Sequence, residues 1–160
     1  MSYLIRSLSI VVLLYFLFGC SSPATNEVDP AENASGQFAA STAKLAGKSP
    51  DELFQYVTAA AEEFDDTHEV FKVSGGQFRM QSMRRNLAEE LAGYELIEQH
   101  ADATTAQQSK AILGQIDALS KGIENGWAGY PERLAELRER LIRDREGSRE
   151  AATVDAVWIW

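Results

Sequence analysis

Ser49-Pro50-Asp51-Glu52-Leu53-Phe54-Gln55-Tyr56-Val57-Thr58-Ala59-Ala60-Ala61-Glu62-Glu63-Phe64 decides the fold class. Ser49 can cap the first amides of a helix, and Pro50 suits the first helical position, where its missing N–H costs nothing. Glu52, three residues after Ser49, completes a capping box. Leu53, Val57, Ala60 and Phe64 then recur on one face at helical spacing. Asp51, Glu52, Glu62, Glu63 and Asp65 lie largely on the other side. The stretch predicts an amphipathic helix, which Val70, Phe71 and Val73 extend to the break at Ser74-Gly75-Gly76.

Downstream the same period continues. Met80, Met83, Leu87, Leu91, Tyr94 and Ile97 step by three and four residues and predict a helix over about 77–101. Glu90, one turn before Tyr94, is not needed by that stripe. Asp102-Ala103-Thr104-Thr105 makes the next turn, with Thr104 or Thr105 as cap. Ile112, Ile116, Leu119 and Ile123 then mark a helix over about 105–124, weakened by Gly122 and stopped by Gly126. The loop Gly126-Trp127-Ala128-Gly129 leads to Tyr130-Pro131. A fourth helix opens at Pro131 and carries Leu134, Leu137, Leu141 and Ile142, with Glu136–Arg140 and Glu139–Arg143 as i,i+4 pairs in the favourable order. Ser148 can cap a last short helix. The residues 153–160 fit helix better than strand, because Ser148 and Glu150-Ala151-Ala152 favour initiation. Short links favour antiparallel neighbours, so the sequence predicts an all-α, up-and-down bundle of three to four amphipathic helices in one domain, 49–160.

Upstream of that domain the composition changes. Residues 20–48 are rich in Ala, Ser, Thr, Pro and Gly and poor in apolar side chains, so they read as a tether that cannot bury enough surface to offset its ordering entropy. As a coil, 21–48 would span about 30 Å on average. Within it Phe38, Thr42 and Leu45 have helical spacing and allow a short helix. Residues 1–19 hold Arg6, the apolar run from Leu8 to Phe18, and Gly19. A positive start, a short apolar centre and a small residue make a secretory signal. The apolar run is too short to cross a bilayer core, which needs about 20 helical residues.

Leu17-Phe18-Gly19-Cys20 resembles the Leu-x-Gly-Cys lipobox of bacterial lipoprotein precursors, with Phe18 where that class usually has a small residue. The resemblance covers the first 20 residues. It implies that the Cys20 thiol receives a diacylglyceryl group and that the signal is cut between Gly19 and Cys20. It also implies palmitate-type acylation of the new amino terminus and attachment of the chain to a membrane in the cell envelope. Cys20 is the only cysteine, so no internal disulfide, CxxC pair or multi-cysteine zinc site can form within this chain. Two acyl chains suffice for stable anchoring. Ser21 stands where an Asp favours inner-membrane retention in Gram-negative lipoproteins, so the class implies an outer membrane address facing the periplasm.

Charge narrows the partners. The chain carries 24 Asp and Glu against 15 Lys and Arg, a formal charge of −9. Losing Arg6 with the signal would take it to −10. Nucleic-acid binders need a positive face to neutralise phosphates, so nucleic acid is not an expected partner. Flat adsorption on anionic lipid is disfavoured by the same acidity.

No pattern in the helical region specifies catalysis, and no cofactor is implied. His68 lies among Asp65, Asp66 and Glu69, and His100 near Glu98 and Asp102, but neither has ligand-spaced companions of the HExxH kind, so solvated histidine is the simpler reading and no metal is expected. Gly75-Gly76 precedes Arg79, Arg84 and Arg85, yet the phosphate-loop arrangement is lacking and a helix-breaking turn accounts for the glycines. Trp127 and Tyr130 flank a Gly-rich loop, and Trp158 and Trp160 end the given sequence; these four aromatics are the candidate partner contacts. Residues from about 84 to 155 are also similar, in their alternation of Leu- and Ala-rich helices, to segments preceding thioredoxin-like domains in some bacterial envelope proteins. Without the CxxC that resemblance implies a helical remnant or adaptor. The expected function is therefore a membrane-anchored envelope lipoprotein with a non-enzymatic interaction or structural domain, contacting an envelope protein partner. The alternative is a lipoprotein that binds a small ligand or metal between helices near His68 or His100.

Overall fold

A computed structural model describes residues 30–158 and, within them, the side chains of residues 36–157. The signal and lipidation residues Gly19 and Cys20, the segment 20–29 and the terminal Trp160 lie outside the described residues, as does the side chain of Trp158.

The fold is all-α. Among the described residues six helices follow one another: α1 (Pro30–Leu45), α2 (Pro50–Ser74), α3 (Gln77–Gln99), α4 (Thr105–Glu124), α5 (Tyr130–Asp144) and α6 (Arg149–Trp158). Their starts follow the capping chemistry of the sequence. Ser49 Oγ accepts from the Glu52 amide while the Glu52 carboxylate accepts from the Ser49 amide, and Thr104 with Gln107 repeats the arrangement at α4. Ser148 Oγ accepts from the Ala151 amide at 3.1 Å and opens α6, so residues 149–158 are helix rather than strand. Gly129, at φ 88°, precedes Tyr130-Pro131 and lets the chain turn directly into α5.

Cross-helix pairs set the directions. Glu63 meets Arg85 and Val57 meets Gly93, so α2 and α3 run antiparallel from the Gly75-Gly76 turn. Glu90 meets Lys121 and Glu98 meets Gln115, which makes α3 and α4 antiparallel in turn. Glu95 pairs with Arg133 and Glu98 with Arg140, so α5 runs alongside α3 in the same sense. The up-and-down order holds for these four helices, and α1 and α6 add to the three or four expected.

Helix α3 is the axis of the packing. The larger core joins Phe64, Met83, Leu87 and Leu91 to Ile112, Ile116 and Leu119 of α4, Leu134, Leu137 and Leu141 of α5, and Val154 of α6. The smaller core holds Leu45, Leu53, Val57, Ala92, Ile97 and Ala111.

Three sequence expectations are corrected. The segment read as tether contains α1, sixteen residues long, with Leu45 fully buried and Phe38 packed against both cores. Its mean composition is poor in apolar groups, but the few it has fall on the face turned to α3, and docking supplies what composition alone lacks. The pairs expected along α5 are also replaced: Arg140 forks onto Glu98 of α3, and Arg143 Nε bonds Asp144 at 2.9 Å. A shielded carboxylate across the seam is a stronger partner than a solvated one a turn away. Ile142, placed on the apolar stripe, is exposed at the helix surface.

Candidate functional site

The apolar stripe of α3 is interrupted by polar residues that other helices answer. Glu90 lies on the buried side, 1 % exposed. Lys121 of α4 brings its ammonium 3.8 Å from Glu90 Oε2, 3.2 Å from Asp117 Oδ2 and 3.6 Å from Asp65 Oδ1 of α2, and 5.5 Å from the centre of the Phe64 ring. One cation thus faces three carboxylates on three helices. Glu90 Oε2 has no hydrogen-bond partner, since 3.8 Å is an ion-pair distance rather than a hydrogen bond. Burial pushes the Glu90 carboxyl up to about 7; Lys121 opposes that shift, and Asp117 and Asp65 add to it. Burial works against the Lys121 ammonium, but the surrounding carboxylates outweigh it and raise its pKa. The Tyr94 hydroxyl is also pushed up, by burial first and by Glu90 second.

Next to this cluster, α3 presents two further carboxylates to α5. Glu98 is shielded and receives the Arg140 fork, and Gln115 Nε2 donates to Glu98 Oε2 at 2.7 Å. Glu95 accepts from Arg133 at 2.7 Å; burial still leaves its carboxyl above the usual range. The Arg133 guanidinium in turn stacks 3.6 Å from the centre of the Phe38 ring, so α1, α3 and α5 are joined through one side chain. On the opposite flank the Lys44 ammonium donates to the Tyr56 hydroxyl and to Glu89 Oε1 at 2.9 Å, and Tyr56 donates to the same carboxylate. These ion pairs and hydrogen bonds cross the seams between helices α1 to α5.

The aromatic candidates are placed differently from the sequence expectation. Trp127 and Tyr130 are buried in the larger core, at ring-centre distances of 6.3 Å for Phe64–Trp127 and 5.9 Å for Trp127–Tyr130, both edge-on. A partner cannot reach them in this conformation. They flank a Gly-rich loop, but Gly122 admits the Tyr130 ring against the helix backbone. Burial pushes the Tyr130 hydroxyl up to about 12. Arg84, from the glycine-led arginine group, lies over Trp127 at 5.3 Å, and its buried Nε has no hydrogen-bond partner. His68 rests against Phe64 at 5.7 Å between ring centres, and His100 Nδ1 accepts from the Asp102 amide at 3.1 Å. The two histidines sit on different parts of the fold. Among the described residues no group of three or more His, Cys, Asp and Glu side chains is disposed to hold a metal ion.

Val70 and Val73, which the sequence assigns only to helix extension, gather with Phe78 at the α2–α3 turn as surface apolar groups. Val73 is 89 % exposed and Phe78 83 % exposed, with Val70 half exposed beside them. Phe78 is aligned with no stripe, and that misfit was the available signal. The clusters around Lys121 and Glu98 had a comparable one: Glu90 falls on the apolar face, and Glu98 lies one residue past Ile97. No family model, curated protein or solved structure matches this chain.

Proposed function

We propose that the chain is a lipid-anchored protein of the bacterial cell envelope whose helical domain acts by contact rather than by catalysis. The single observation that carries the anchor is Leu17-Phe18-Gly19-Cys20 at the end of a short apolar run that follows Arg6, with Cys20 the only cysteine of the chain. Processing would leave Cys20 as the first residue and lipid on its thiol, and Ser21 favours the outer membrane where the cell has one. Among the described residues no helix is long and apolar enough to cross a membrane, so the described helices offer no alternative attachment of that kind.

Two features support a contact role. The interior ionisable groups pair with each other across helices, which spends them on register. Among the described residues Val70, Val73 and Phe78, three of the four exposed large apolar side chains, gather at one end, the α2–α3 turn, and only Ile142 lies elsewhere. Trp127 and Tyr130 take no part in the proposed contact.

Radiolabelled palmitate fed to cells expressing the chain should appear in the protein, and Cys20→Ala should abolish the label and leave a precursor that retains residues 1–19. Label persisting in Cys20→Ala overturns the anchor.

A further inference from the structure

A stretch of sequence free of carboxylates spans the α2–α3 turn, although Asp66 of α2 lines the same cleft as Phe78 and Arg79. Between Glu69 and Glu89 stand Lys72, Arg79, Arg84 and Arg85 and no carboxylate. Lys72 Nζ reaches back to Glu69 at 2.8 Å, and Arg85 lies 3.6 Å from Glu63. Arg79 donates to Ser74 Oγ at 2.7 Å and to the Gly75 carbonyl at 2.9 Å, both neutral acceptors, and so clamps the turn. This basic interval also carries the protruding Val73 and Phe78. Large apolar side chains at a tip that also carries Lys72, Arg79 and Arg85 match the lipid–water interface, where rings and branched chains enter the headgroup boundary and cations meet phosphates.

The direction of α1 places the same tip on the anchor side. Lys44 pairs with Glu89 and Leu45 packs at Gly93, whereas Gln37, two turns earlier, shares a cleft with Phe78 and Gln81. Helix α1 therefore runs alongside α3 in the same sense, and its first turn emerges at the end of the bundle that carries Val73 and Phe78. Ten positions separate Cys20 from Pro30, a reach of at most about 36 Å even when fully extended.

We propose that the α2–α3 turn is a membrane-contacting foot: Val73 and Phe78 seat in the surface of a bilayer containing anionic phospholipid, and Lys72, Arg79 and Arg85 lie against its headgroups. End-on contact keeps the acidic flanks of the bundle in water, so the overall negative charge does not oppose it. This inference rests on the Cys20 anchor.

The test uses the full processed chain, purified from membranes and reconstituted into vesicles of equal parts phosphatidylcholine and phosphatidylglycerol. An environment-sensitive dye is attached at Val73→Cys and, in a second protein, at Asp102→Cys in the α3–α4 turn at the opposite end of α3. The dye at 73 should shift to the blue and be quenched by brominated lipid, while the dye at 102 should do neither. Phosphatidylcholine alone, or Lys72→Gln with Arg79→Gln, should weaken the response at 73 several-fold. Equal responses at 73 and 102 in protein that floats with vesicles and carries lipid on Cys20 overturn the foot and leave the anchor standing. A bare Cys20 and no flotation overturn the anchor reading itself. A dye at 73 that stays unshifted on vesicles but becomes shielded in native membranes assigns the tip to a protein partner and overturns the lipid assignment.

Discussion

Lys121 Nζ stands 3.8 Å from Glu90 Oε2 across the α3–α4 seam, and the same ammonium also faces Asp117 and Asp65. The cluster holds more negative charge than Lys121 can balance, and Glu90, the most deeply buried of the three, carries the excess. Its carboxyl is pushed up to about 7, first by burial. Between an unfolded value near 4.5 and the folded value, the native state holds a proton that the unfolded chain has released. Stability from this group is therefore greatest at the acidic end of the window and declines as pH rises through it, by roughly 3 kcal/mol at most. Glu90→Gln should flatten the decline in denaturant unfolding between about pH 5 and pH 8. An equally steep decline in the variant would show that Glu90 is not its source.

Lys121→Met should act in the opposite way. Without the cation, ionised Glu90 is left buried and alone, a loss of about 3 kcal/mol or more near pH 8 and clearly less near pH 5, where Glu90 is protonated. Asp65 and Asp117 are solvated and contribute little to the difference. Unfolding curves at the two pH values decide it: an equal loss at both would mean that packing over Phe64, not charge, is what Lys121 supplies.

Gly122 and Tyr130 form a notch and a knob. A Cβ at Gly122 would meet Tyr130 Cδ1 at 2.1 Å, so the ring must move and pull on its contact with Trp127. Gly122→Ala should cost about 1–3 kcal/mol, although alanine is the better helix former by about 1 kcal/mol. Gly36 in α1 has nothing within 4 Å, and Gly36→Ala should instead stabilise by up to about 1 kcal/mol. Thermal melts of the two variants should move in opposite directions.

Leu45→Ala tests whether α1 belongs to the domain. Leu45 is fully buried among Val57, Ala92 and Ile97. Its truncation should cost about 2–5 kcal/mol in denaturant unfolding, as for other buried leucines. A change below about 0.5 kcal/mol, as expected of a surface substitution, would return residues 30–48 to the status of a tether.

The helices that carry the site were legible wherever local chemistry and period agreed. Ser49-Pro50-Asp51-Glu52 and Thr104 with Gln107 mark their starts by hydrogen bonds that close within four residues, and the stripes of α2, α3 and α4 repeat often enough to show which faces are buried. The polar clusters were less legible. Glu90 was visible as a residue the stripe did not need, but Lys121 lies 31 positions away and Asp65, which shares that ammonium, 25, and no local rule joins them. Val73 looks like an ordinary helix residue, and the misfit of Phe78 acquires meaning only once the described helices are seen to leave both side chains exposed.

By itself the sequence determined the all-α class, the capped boundaries of the helices and the antiparallel order that short links impose, because each follows from interactions within one or two turns. It also supplies the whole basis for the proposed Cys20 anchor, which lies outside the described residues. Only the tertiary structure decided that α1 docks, that Gly122 receives a tyrosine, that Trp127 is core, and that Lys121 faces carboxylates from three helices. Those outcomes depend on which faces meet, and burial, not propensity, fixes the free energy of a side chain once two helices have closed over it.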